Sequence, residues 1–466
     1  MAMEYYILGV MYKLKKEGYI VNHSRESGHR RRKGRKSPFV KILSGIALCA
    51  AILIAYFAVS VMSMGKGIPS TGQGEIATQL SAWNEEETTV ATETPTEEPT
   101  TQEPATEEPT ETEPPIEPHV EMAMALMDTM TLEEKIWQMI FLTPDELTDT
   151  TGPTIAGEGT RAALETYPVG GLIYFGEHIL SQDQIGEMVS NSQSYSKIPL
   201  FIGVDEEGGY VSRLSKIGVV PNTEPMENYG AAGDEAAVYE LGKDFAEGLA
   251  SVGFNVDFAP VADVLTNPNN TELDTRTFSD DPTVAGTMVA RMVKGLQDGN
   301  VLSCLKHFPG HGSTSTDSHY GQSVSERTLE ELRETEFLPF IAGIEAGAEL
   351  VMISHMSLPE VTGNNEPCDL SYTVVTELLR QELGFEGLIF TDSHEMGAIS
   401  YYYDCGEAAL RAVQAGCDVI LMPMSKTEAF ASILGAVRDG TLTEERINES
   451  ALRILSLKYK YGIIAE

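Results

Sequence analysis

From residue 119 onward, short apolar runs alternate with longer amphipathic stretches. The runs fall at 137–141, 171–175, 200–204, 255–259, 301–305, 350–354, 387–391 and 418–422, and they are rich in Val, Ile and Leu. They lack the apolar-polar alternation of a half-exposed strand, so each reads as a strand buried on both faces. Between most of them lie segments with helical spacing, such as 236–252 and 329–346. The first run is entered through a helix whose start is marked by Thr131 and Glu134, a pair that caps by reciprocal hydrogen bonds. Eight buried strands alternating with helices predict a parallel sheet, and eight is the number that closes a barrel. The Gly-x-Gly-x-x-Gly signature of an open, dinucleotide-binding sheet is missing after the first run. The expected fold class is therefore α/β, a (β/α)8 TIM-type barrel forming a single domain over 119–466.

The pattern ahead of residue 119 is different. Residues 42–64 are uncharged throughout, long enough to cross a hydrocarbon core of roughly 30 Å as a helix. The basic cluster Arg30-Arg31-Arg32-Lys33-Gly34-Arg35-Lys36 precedes this stretch, which predicts a cytoplasmic tail (1–38), a transmembrane helix (39–64) and an extracytoplasmic remainder. A cleaved signal peptide fits less well, because the apolar run exceeds the usual h-region of roughly 7–15 residues. Residues 84–118 are almost wholly Glu, Thr and Pro without a single Lys or Arg. Such a stretch cannot bury a core, so 65–118 is expected to be a disordered stalk.

Charge narrows the partners. The formal net charge is −38, from 70 acidic and 32 basic residues, which excludes a basic nucleic-acid footprint. Five cysteines, at 49, 304, 368, 405 and 417, show no Cys-x-x-Cys pairing, so neither a zinc knuckle nor a disulfide framework is indicated.

Barrel active sites are built at the C-terminal ends of the strands, and the residues just past the runs are chemically dense. The third run leads into Asp205-Glu206-Glu207-Gly208-Gly209 and on to Arg213, and the fourth through Asp257 and Asp263 to Asn267, Asn270 and Arg276. The sixth gives His355 and the seventh Asp392. The fifth opens Lys306-His307-Phe308-Pro309-Gly310-His311-Gly312 and then Asp317-Ser318-His319. That stretch fits a metal site, through the spacings of His307 with His311 and of Asp317 with His319. It fits equally a histidine acid/base oriented by its aspartate.

Taken with Thr131-Leu132-Glu133-Glu134-Lys135, Arg276-Thr277-Phe278 and Gly387-Leu388-Ile389-Phe390-Thr391-Asp392, these motifs resemble glycoside hydrolase family 3. The resemblance covers roughly 119–460 and is to the β-N-acetylglucosaminidases (β-N-acetylhexosaminidases) of bacterial wall turnover. It implies that Asp392 is a nucleophile, that His319 paired with Asp317 is the acid/base, and that Asp205, Arg213, Arg276, Lys306 and His307 bind the sugar. It implies no metal and no organic cofactor. The second domain that supplies a carboxylic acid/base in the family's β-glucosidases is not expected here, which leaves that work to His319. Tyr210, Glu206 and His394 depart from the family pattern. The expected protein is a membrane-anchored exo-enzyme that removes terminal N-acetylglucosamine from wall-derived glycans. The rivals are a phosphorylase or β-glucosidase of the same family, a metal-dependent hydrolase, and an inactive wall-binding protein.

Overall fold

The structure, a computed structural model, describes residues 116–315 and 317–465. The expected tail, membrane span and all but the end of the expected stalk, residues 1–115, lie outside the described residues. Among the described residues no helix is long and apolar enough to cross a membrane. The described residues open on helix Pro118–Met127, where the fixed φ of Pro118 suits the first helical turn.

The eight strands are β1 (Ile140–Leu142), β2 (Gly171–Ile173), β3 (Phe201–Val204), β4 (Val256–Asp257), β5 (Leu302–Phe308), β6 (Leu350–Ile353), β7 (Leu388–Thr391) and β8 (Ile420–Leu421). They form one parallel sheet in the order β7-β6-β5-β4-β3-β2-β1-β8. The two ends meet at a parallel bridge between Phe390 and Val419, where Thr391 N donates to Val419 O at 3.0 Å, and the barrel is nearly closed. Asp418 secures this seam. Fully buried, it accepts from Ile389 N at 3.0 Å, Ser450 Oγ at 2.6 Å, Arg380 at 2.7 Å and Arg453 at 3.1 Å.

Aromatic rings fill the interior. Phe141 on β1 meets Phe390 on β7 edge-on at 5.0 Å, although β8 lies between those strands, so the contact crosses the inside of the barrel. Phe258 and Phe201 complete the cluster at 5.5 and 5.9 Å. Glycines on neighbouring strands make room for it: a Cβ on Gly171 would stand 2.4 Å from the Phe141 ring, and one on Gly203 would stand 2.6 Å from Phe258.

Three boundaries differ from expectation. Trp137 belongs to the capped helix Leu132–Gln138 and not to the first strand, and its indole stacks on Phe430 at 4.4 Å. The fifth strand ends three residues later, at Phe308, so Lys306 and His307 are strand residues and not loop residues. The segment 329–346 is two helices, Leu329–Glu334 and Phe337–Glu345. Between them Glu336 turns inward, fully buried, to Thr266 Oγ1 and Arg327, each at 3.3 Å.

Candidate active site

The strand ends open into a cavity of about 560 Å3 lined, among others, by Asp205, Arg213, Arg276, Lys306, His307, Asp317, His319 and Asp392. These are the eight site residues expected from sequence. Clefts of roughly 300–1,000 Å3 suit small ligands.

A row of alternating charges forms one wall. The Lys306 ammonium lies 2.7 Å from Asp205 and 2.6 Å from Glu207, and Glu207 takes the Arg276 guanidinium through two bonds of 2.7 and 2.8 Å. Burial works to strip the Lys306 proton and to protonate Glu207. The paired charges win, holding Lys306 above the ordinary lysine value and Glu207 well below the carboxylate range. A row of fixed charges and donors at a strand mouth suits the hydroxyls of a sugar. His307 turns Nδ1 to Asp263 at 2.7 Å, and Asp263 also accepts from the His307 and His311 amides at 3.1 and 2.6 Å. Arg213 stands over the Phe175 ring at 6.0 Å, and its buried Nε has no hydrogen-bond partner among the described residues.

Asp392 follows β7 directly. Its amide is held by Ile353 O at 3.0 Å and its carboxylate accepts from Ser393 N at 2.7 Å. His319 lies on the loop after β5, half-exposed, with Nδ1 2.9 Å from Asp317 Oδ1 and 3.3 Å from Glu272 Oε1. With Nδ1–H committed to two carboxylates, Nε2 is the nitrogen left to exchange a proton with a ligand. The Glu272 hydrogen bond comes first among the influences that raise His319 to about 9, against the opposing pull of burial; the charges of Asp392 and Glu272 and the Asp317 bond add to it.

Glu272 and Glu207 were not among the expected site residues. Glu272 seats the whole acid/base loop: it accepts from Ser318 N at 2.9 Å and Ser318 Oγ at 2.7 Å, and it lies 3.4 Å from His311 Nε2. Burial opposes ionisation, but His319, His311 and Ser318 hold Glu272 well below the carboxylate range. The first half of the loop that carries His319 is tied to the stretch after β4. Asn267 holds Thr314 O at 3.0 Å, Asn270 holds His311 O at 3.0 Å, and His311 and Thr314 are buried.

The metal reading's four residues are only partly assembled. Among the described residues Glu272, Asp317 and His319 each offer one ligand atom within 4.8 Å of one another, whereas His307 is tied to Asp263.

Residues 131–457 match the model of the glycosyl hydrolase family 3 N-terminal domain. Beta-hexosaminidase A of Pseudoalteromonas piscicida is 33% identical over 325 residues, 64% of this chain and 54% of that protein, so the chain spans about half of that relative. The structure of a family 3 β-N-acetylglucosaminidase from Paenibacillus sp. str. FPU-7 superposes with a TM-score of 0.68 at 34% identity, covering 72% of this chain and 64% of that one. Beta-glucoside phosphorylase BglX superposes with a TM-score of 0.65 at 26% identity, covering 74% of this chain and 60% of that one.

Proposed function

Because the chain belongs to glycosyl hydrolase family 3, its match running from residue 131 to 457, we propose that it is a retaining exo-β-N-acetylglucosaminidase acting through a glycosyl-Asp392 intermediate. The observation that carries this reading is the meeting of Asp392, the Asp317–His319 pair and the Asp205–Lys306–Glu207–Arg276 row in one cavity. Retention needs a carboxylate to attack the anomeric carbon and a second group to protonate the leaving oxygen, then to take a proton from water. Asp392 on a strand end supplies the first and His319 Nε2 the second.

The electrostatics support both halves of the cycle. Before attack, Glu272 foremost, with Asp392 and Asp317, keeps His319 protonated and fit to donate. Once Asp392 is an uncharged ester, one of those supports is gone. The imidazole then holds its second proton less tightly and serves as the base for the incoming water.

The decisive experiment is turnover of a chromogenic N-acetylglucosaminide with proton NMR of the first-formed anomer. The β-anomer is expected; the α-anomer would mean inversion, and no turnover would leave a binding protein. Exhaustive chelation is expected to change nothing. A second reading, phosphorolysis, draws on the histidine acid/base, because an imidazole repels phosphate less than a carboxylate would, and on the likeness to a β-glucoside phosphorylase. Appearance of N-acetylglucosamine 1-phosphate in phosphate buffer would decide for it. The wall-derived substrate and the membrane anchor belong to the same proposal, resting on residues 39–64 and the acidic stretch after them.

A further inference from the structure

Beneath the Asp392 turn lie three ionisable side chains that the proposed chemistry does not use. His355, directly after β6, Asp369, in the short helical turn Cys368–Leu370, and His394, two residues past Asp392, are all shut off from solvent. His355 Nε2 is 2.8 Å from the Ser393 carbonyl oxygen and its Nδ1 is 3.0 Å from Asp369 Oδ1, off the line of a good hydrogen bond. His394 Nε2 is 3.0 Å from Asp369 Oδ2.

The protons follow from what each nitrogen faces. A backbone carbonyl only accepts, so His355 Nε2 carries hydrogen. At 3.0 Å from a carboxylate oxygen, a bare Nδ1 lone pair would be repelled, so that nitrogen is protonated too and His355 is an imidazolium. Burial opposes the charge, but Asp369 outweighs it and raises His355 to about 9. Burial also opposes ionisation of Asp369, which His355 and His394 hold below the usual value. Burial and the neighbouring His355 charge lower His394, which stays neutral and donates from Nε2. Taking a cation and an anion out of water costs several kcal/mol per ion unless the geometry recovers it. A barrel mouth with no need of them would fill this space with apolar side chains.

We propose that His355, charged and aimed by Asp369, is a positioning residue for Asp392: it clamps the Ser393 carbonyl and so fixes the peptide whose N–H holds the Asp392 carboxylate. The chain of contacts is continuous. Asp369 stands against His355 as a charge pair at 3.0 Å, His355 Nε2 donates to Ser393 O at 2.8 Å, and Ser393 N lies 2.7 Å from Asp392 Oδ1. The Ile353 O to Asp392 N bond ties the other side of the turn to β6, the strand that leads into His355. The imidazolium also sets a positive charge behind the carboxylate that must leave when the glycosyl ester is hydrolysed.

This rests on Asp392 being the nucleophile, and the test separates the two. A 5-fluoro-N-acetylglucosaminyl fluoride would trap the ester, and peptide mass mapping would locate it. His355→Gln keeps one donor but loses the charge, and Asp369→Asn keeps the shape but removes the anion. Both are expected to slow labelling and kcat by about 10²-fold, the cost a misplacement of roughly 1 Å can impose. The inhibition constant for N-acetylglucosamine should stay within about twofold, because Asp205, Lys306 and Arg276 are untouched. Labelling at the wild-type rate in both variants would overturn the proposal alone. So would loss of sugar affinity in step with rate, or of folded protein by circular dichroism, which would make the pair merely structural. No label on the Asp392 peptide of the wild type would overturn the nucleophile reading, and this proposal with it.

Discussion

His319 shows how far one side chain's chemistry is set by a neighbour remote in sequence. With Glu272 at 3.3 Å and Asp317 at 2.9 Å, its acid form persists to about pH 9, where a free histidine would have lost the proton near 6.5. The sign is that of a raised pKa: donation is available below about 9 and lost above it. The alkaline limb of kcat/KM on an oligosaccharide, which needs protonation of its leaving oxygen, is therefore expected near pH 9. Glu272→Gln removes the foremost cause and should draw that limb down toward 6.5; an unmoved limb would mean Glu272 only seats the loop. Asp392→Ala should cost several powers of ten in kcat, since a nucleophile's loss costs up to about 10⁶ in the subtilisin series, while the thermal midpoint stays near that of the parent. A variant retaining near-parent turnover would move the nucleophile elsewhere. The eight expected residues came from motifs that carry the family resemblance, and all eight line one cavity. Glu272 was not legible, for it sits in an irregular stretch with no period, and its partners Ser318 and His319 are 46 and 47 positions away. Glu207 was visible beside Asp205, but nothing local shows that it, and not its neighbours, bridges Lys306 and Arg276.

At the scale of elements, the barrel was legible because a strand covered on both faces must be apolar throughout, and eight such runs leave few other arrangements. What sequence did not reveal is where polar side chains override the pattern. Glu336 breaks the segment 329–346 because its carboxylate turns inward to Thr266, a partner 70 residues away. β5 carries Lys306 and His307 inside a strand because buried ion partners meet them there. The seam has the same character: β7 meets the residue ahead of β8 at the Phe390–Val419 bridge, the Asp418 and Val419 amides donate to Ile389 O at 2.7 and 3.1 Å, and the Asp418 carboxylate adds Ile389 N, Arg380, Arg453 and Ser450. Removing one partner of such a buried cluster typically costs about 3–5 kcal/mol. Asp418→Ala is expected to destabilise by that order in urea unfolding, because the Arg380, Arg446 and Arg453 charges then face one another across the gap. A loss under about 1 kcal/mol would show that the strands close the barrel unaided.

For the whole molecule, the question is how much of the chain the barrel needs. Helix Pro118–Met127 lies ahead of the first strand, and its Ala123, with Met130, joins Ile198 and Leu455 in a cluster separate from the main core. Without residues 116–130, the buried Ile198 and Leu455 would face water, at about 1.5–3 kcal/mol for each large aliphatic side chain. A chain starting at residue 116 is therefore expected to melt with the full chain in detergent and to turn over N-acetylglucosaminides equally fast. One starting at residue 131 should melt several degrees lower, although no residue of the cavity has been removed. The full chain should sediment with membranes and the shorter forms should not, if residues 39–64 anchor it. Equal melting of the two shortened forms would mean that the helix is an appendage. A fall in turnover on removing 1–115 alone would mean that the segment ahead of the barrel takes part in catalysis or substrate capture, and the spacer role expected from its Glu, Thr and Pro would have to be given up.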